Sequence, residues 1–137
     1  MTENEVKKFL KSHFFATQKI KALEIEKKQL RIDAQGGSVS YEGNYPSTKR
    51  NGVEATLMTL SEKEEKIDNE INELKKKQEK VRTAIDLLHD DDLESVLINR
   101  YITYHTVEET AEVMNYHPNT VKGKIKKATQ KLCTKMS

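Results

Sequence analysis

The sequence predicts an all-α protein, a long helical hairpin or coiled coil followed by a small C-terminal helix-turn-helix module. Three observations predict it. Apolar residues recur at alternating steps of three and four through two long stretches of residues 1–88, as in paired helices. Four of the five glycines and one of the two prolines gather in residues 35–52, between those stretches. Finally, Thr106–Leu132 holds two short helical patterns joined by a tight turn, and the second carries lysines and no acid.

The first helix is expected from about Glu3 to Ala34, with Val6, Phe9, His13, Ala16, Ile20, Leu23, Lys27 and Leu30 along its seam. Leu10, Phe14, Ile25 and Ile32 widen the apolar surface beyond a narrow stripe. The loop Gln35–Gly52, QGGSVSYEGNYPSTKRNG, is long for a hairpin connection. It reads as a flexible linker, although Tyr41, Tyr45, Lys49 and Arg50 also suit contact with DNA or a partner.

The second helix has the seam Leu57, Leu60, Glu64, Ile67, Ile71, Leu74, Gln78, Val81, Ile85 and Leu88, of which all but Glu64 and Gln78 are apolar. Glu64 is expected to weaken the seam locally, whereas Gln78 either weakens it or specifies a particular pairing. Each long helix spans about 45–50 Å at 1.5 Å per residue. They can fold back on each other or pair between chains, and some partner surface is required because a lone charged helix is marginal in water.

Composition agrees with extended helices: the chain has 137 residues, 35% hydrophobic and 34% charged. The net charge of +2 conceals an asymmetry. Asp90, Asp91, Asp92 and Glu94 stand without a base in residues 90–99, while 118–137 hold six lysines (122, 124, 126, 127, 131 and 135) and no acid. The acids favour the N-terminus of the next helix through its dipole; as a patch they would limit non-specific binding to DNA or meet a partner.

In the last stretch Thr106 is an N-cap, and Glu109 three positions on completes a capping box. Val107, Ala111 and Met114 form an apolar face, Asn115 suits a left-handed helix end, and Pro118 suits the first position of a new helix. That helix is expected to bury Val121, Ile125, Ala128 and Leu132. At 100° per residue the opposite face carries Asn119, Gly123, Lys126, Lys127 and Gln130, with Thr120 and Lys122 at its edges. Asn and Gln can bond adenine edges, Lys guanine or phosphate, and Gly lets backbones approach closely. These seven are the candidate contacts to double-stranded DNA; Lys124 and Lys131 nearer the flanks would at most touch phosphate.

Asp92–Leu132 resembles the fourth region of bacterial sigma factors. There an aliphatic helix ends in Arg-Tyr, a T-x-x-E-x-A helix follows, and T-V-K opens the reading helix. Leu93, Val96, Leu97, Arg100 and Tyr101 match the first part, Thr106, Glu109 and Ala111 the second, and Thr120, Val121 and Lys122 the third. With the long charged helical region before it, the chain resembles phage transcriptional regulators of the ArpU and RinA kind. The likeness is specific over about the last 45 residues and much weaker before them. Asn115 replaces the usual turn glycine, and His117, where a Ser cap is usual, is expected to leave the reading helix less well capped.

The domains are therefore expected at 1–88, an oligomerisation region with a flexible loop at 35–52, and 89–137, the DNA-binding module. The resemblance implies a sequence-specific regulator of phage late genes. A small terminase-like packaging component is one alternative. The other is a coiled-coil adaptor for RNA polymerase, in which Leu93, Val96 and Leu97 would matter more than the lysines. A homo-oligomer, with a dimer favoured, suits paired half-sites.

No enzyme, cofactor or metal site is expected. The chain has no P-loop, GxSxG, HExxH or paired Cys, and His89 beside Asp90, Asp91 and Asp92 is not a ligand set because consecutive helical residues diverge. The single Cys133, the lack of an 18-residue apolar run and the opening MTENEVKK suggest a whole cytoplasmic protein of the bacterial host, with no membrane partner.

Overall fold

The structure, a computed structural model, describes residues 1–35 and 46–136, apart from the side chains of 46–59. It is all-α: α1 (Glu3–Ala34), α2 (Pro46–Asp86), α3 (Asp91–Leu97), α4 (Val107–Met114) and α5 (Pro118–Lys135), with a wider i→i+5 turn over Ile98–Ile102 continuing α3. No described helix is long and apolar enough to cross a membrane.

The first helix has the expected limits. The far end of the expected loop is instead helical. Pro46 opens α2, so residues 46–52 are helical, because proline's fixed φ and missing N–H suit a first helical position. Residues 36–45, with Tyr41 and Tyr45, lie outside the described residues, as do the side chains of Lys49, Arg50 and Leu57.

The chain divides into two compact units. In Gln18–Leu74, Ile20, Leu23, Ile67 and Ile71 make the seam, with Leu30 and Leu74 packed against it. Pairing is antiparallel within the chain: Lys19 Nζ lies 3.9 Å from Glu70, Lys27 Nζ 2.7 Å from Asp68 and Arg31 Nη2 3.1 Å from Glu64. Both Lys27 and Glu64, polar positions of the expected seams, thus have partners across it. Ile25 and Ile32, expected to widen the apolar face, are instead 69% and 41% exposed, since a two-helix pair offers only one seam.

The other unit, Met1–Thr17 with Lys75–Ser137, has two cores. Val6 and Leu10 of α1 join Val81 and Ile85 of α2, Leu88 in the connection after it, Leu93 and Leu97 of α3, Tyr101, and Ala128 and Leu132 of α5. Val96 of α3, Ala111 of α4 and Val121 of α5 make the second core, flanked by Val107, Met114, Tyr116 and Ile125. Helix α3 therefore faces two ways. Leu93, Val96 and Leu97, the face an adaptor would have offered to a partner, are 2%, 0% and 0% exposed.

A polar group crosses the same unit. The Tyr104 hydroxyl lies 2.5 Å from both His13 Nδ1 and Thr17 Oγ1, and Gln78 Nε2 donates to Thr17 Oγ1 at 2.6 Å. Gln78 therefore has a hydrogen-bond partner on α1. Tyr104 has φ of 61°, an unfavourable left-handed conformation for a tyrosine, and its ring packs edge-on against Phe14 with centroids 5.1 Å apart.

Candidate nucleic-acid interface

The module is built from local caps outward. Asp90 caps α3, its carboxylate accepting from the N–H of Asp92 and of Leu93 at 3.1 Å, while Glu94 reaches back to the Asp90 N–H at 3.1 Å. Part of the acidic run is thereby committed to a helix start. Arg100 Nη1 donates to the His105 carbonyl at 2.6 Å and steadies the connection to α4.

Thr106 and Glu109 make the reciprocal capping box of α4, at 3.1 and 2.8 Å. These bonds to Thr106 hold the Glu109 carboxyl below the usual range. Helix α4 ends on Asn115 with φ of 57°, and the Tyr116 N–H bonds to the Ala111 carbonyl at 2.8 Å while Asn115 N–H bonds to Glu112 at 3.3 Å. This is the Schellman close, in which a left-handed residue folds the chain back over the last carbonyls. Asparagine serves where glycine is usual because its short polar side chain tolerates that region. The expectation of a weakly capped α5 does not hold: His117 Nδ1 accepts the Asn119 N–H at 3.1 Å, so the imidazole replaces the missing serine oxygen.

Helix α5 then shows two chemistries. Val121, Ala128 and Leu132 are fully buried. Asn119, Thr120, Lys122, Gly123, Lys126, Lys127 and Gln130 are all exposed, so the structure brings every expected contact residue onto one open surface. A Cβ placed on Gly123 would meet no atom within 4 Å.

From the sequence Tyr116 has no expected role, and Asp92 only that of an acid at a helix start or in an acidic patch. Asp92 accepts hydrogen bonds from the Tyr116 hydroxyl and from Lys124 Nζ, and the Lys124 ammonium stands 5.0 Å from the centre of the Tyr116 ring. Lys124, expected at most to touch phosphate, is thus tied to Asp92 and Tyr116. Its ion pair, helped by Tyr116, pulls the Asp92 carboxyl below its ordinary value; Asp92 in turn raises both Lys124 and Tyr116. No local signal reveals the tie, because Asp92 lies 24 residues from Tyr116 and 32 from Lys124. No family model, curated protein or solved structure matches this chain.

Proposed function

We propose that the protein is a sequence-specific regulator of transcription that inserts α5 into the major groove of double-stranded DNA. It is a binding protein, not an enzyme, and acts without a cofactor. The observation that carries the reading is the exposed face of α5, whose lysines 122, 126 and 127 flank Asn119, Gly123 and Gln130 while the opposite face is locked in two cores. The two helices meet through a three-residue turn of the kind that presents a reading helix. Gly123 adds support: no neighbour requires a glycine there, and glycine costs an exposed helix about 1 kcal/mol relative to alanine, so close approach of a backbone accounts for it.

Asn119 and Thr120, near the helix start, meet base edges, and Lys122, Lys126 and Lys127 meet phosphate or guanine. The likeness of the whole chain to phage regulators of the ArpU and RinA kind extends the proposal to a phage-encoded protein acting on late genes in the cytoplasm of a bacterial host. A homodimer reading paired half-sites belongs to the same proposal.

The test is binding to DNA fragments tiled across the gene's neighbourhood, with random duplex as competitor and salt varied. One fragment is expected to bind roughly a thousandfold tighter than random DNA. On it, Asn119→Ala relaxes specificity, whereas Lys127→Ala weakens every sequence alike and flattens the salt slope by about 0.9. Weak, uniform, steeply salt-dependent binding would overturn the reading in favour of DNA packaging.

A further inference from the structure

Of the lysines on α5, Lys124 is the one held by a carboxylate; the side chains of Lys122, Lys126 and Lys127 make no hydrogen bond or ion pair among the described residues. We propose that Asp92 sets the specificity of the DNA-binding surface, withholding the Lys124 charge from non-specific phosphate contact while fixing the start of α5 through Tyr116. This rests on the DNA-binding reading above.

Placement carries the argument. Lys124 follows Gly123, so it lies about 100° from the middle of the open face, within reach of a phosphate if its side chain were free. It is drawn away instead. With 28% of the Lys124 side chain and 34% of Asp92 accessible, the pair is only partly screened by water. Both partners keep their charges at neutral pH, since Asp92 titrates lower and Lys124 higher than usual. Lys127, which belongs to the open face, adds a smaller pull on the same carboxylate.

A negative charge at the rim of a phosphate-binding surface weakens contacts to every sequence equally. The bond to Tyr116, two residues before Pro118, constrains the turn that aims Asn119 and Thr120. Asp92 therefore lowers background affinity through its charge, while the ratio of cognate to random affinity that a specific protein needs rests on its bond to Tyr116.

The experiment compares the full chain with Asp92→Asn, Lys124→Ala and the double variant, on the best tiled fragment and on random duplex, over a range of salt. Asp92→Asn is expected to tighten random-DNA binding roughly tenfold at about 50 mM salt and to steepen its slope by about 0.9, as one more phosphate contact would. The ratio between cognate and random affinity falls. Lys124→Ala alone keeps the original slope, and the double variant loses the gain, which identifies the freed lysine as its source.

Parallel losses on both DNAs with an unchanged slope would make Asp92 merely structural and overturn the proposal. So would a slope flattened by Lys124→Ala, since Lys124 would then already touch phosphate. These outcomes leave the DNA-binding reading intact; failure of the unaltered chain to bind any duplex overturns both.

Discussion

The two compact units bury their apolar residues to different depths. In Gln18–Leu74 the seam residues Ile20, Leu23, Ile67 and Ile71 keep 9%, 7%, 5% and 8% of their surface. In the unit of Met1–Thr17 and Lys75–Ser137, Val6, Leu10, Val81, Ile85, Leu88, Leu97 and Leu132 keep none. The first has two helices and one seam, flanked by partly exposed ion pairs. The second adds α3 and α5, which close over the apolar residues of α1 and α2. Two helices can shield each other only along a line, whereas additional helices complete an interior, so the same heptad pattern is expected to yield different stability in the two places.

The largest expected effect tests that difference directly. Ile85→Ala is expected to cost about 3–5 kcal/mol, and Ile67→Ala nearer about 2 kcal/mol, by chemical denaturation followed at amides in each unit. Equal losses would break the comparison. Next in size is Tyr104→Phe, which removes the hydroxyl shared by His13 and Thr17 and leaves a left-handed backbone less well held. It should lower stability by about 1–2 kcal/mol in the deeper unit and leave amide exchange in Gln18–Leu74 unchanged.

Smaller again is a pH effect. Burial holds the His13 imidazole below the usual histidine range, so the unfolded chain takes up the proton first. Stability tied to neutral His13 is present above about pH 6.5 and is lost as pH falls through the lower folded value. The melting temperature should therefore drop on acidification, and His13→Gln should flatten the drop; an unaltered slope in that variant would remove His13 as its source. The smallest effect concerns Gln18–Leu74. Lys27→Ala removes the 2.7 Å pair with Asp68, an effect of about 0.5 kcal/mol that added salt should shrink. Salt-independent loss would assign Lys27 a packing role through its stem.

Much of the candidate site was legible in advance because its signals are short-range. Thr106 and Glu109 are three residues apart, Asn115 needs only its own φ, and the open face of α5 follows from a 3.6-residue period. His117 was misjudged for an equally local reason: an imidazole nitrogen can accept a cap bond, although the usual capping residues are Ser, Thr, Asp and Asn. The expected loop runs too far because proline by itself reads as a mark of irregular chain, whereas Pro46 opens α2.

Local sequence suffices for the all-α class, the limits of α1, the caps of α4 and the surface that α5 exposes. Each depends on residues within about one or two helical turns, where backbone sterics and side-chain reach leave few choices. Packing across the chain sets Val6 and Leu10 in one core with Leu132, brings Tyr104 to His13 and Thr17, and gives Lys124 and Tyr116 to Asp92. Periodicity says that a face must be buried but not against what. That choice follows from how whole helices fill space together and from which buried polar groups can then find partners.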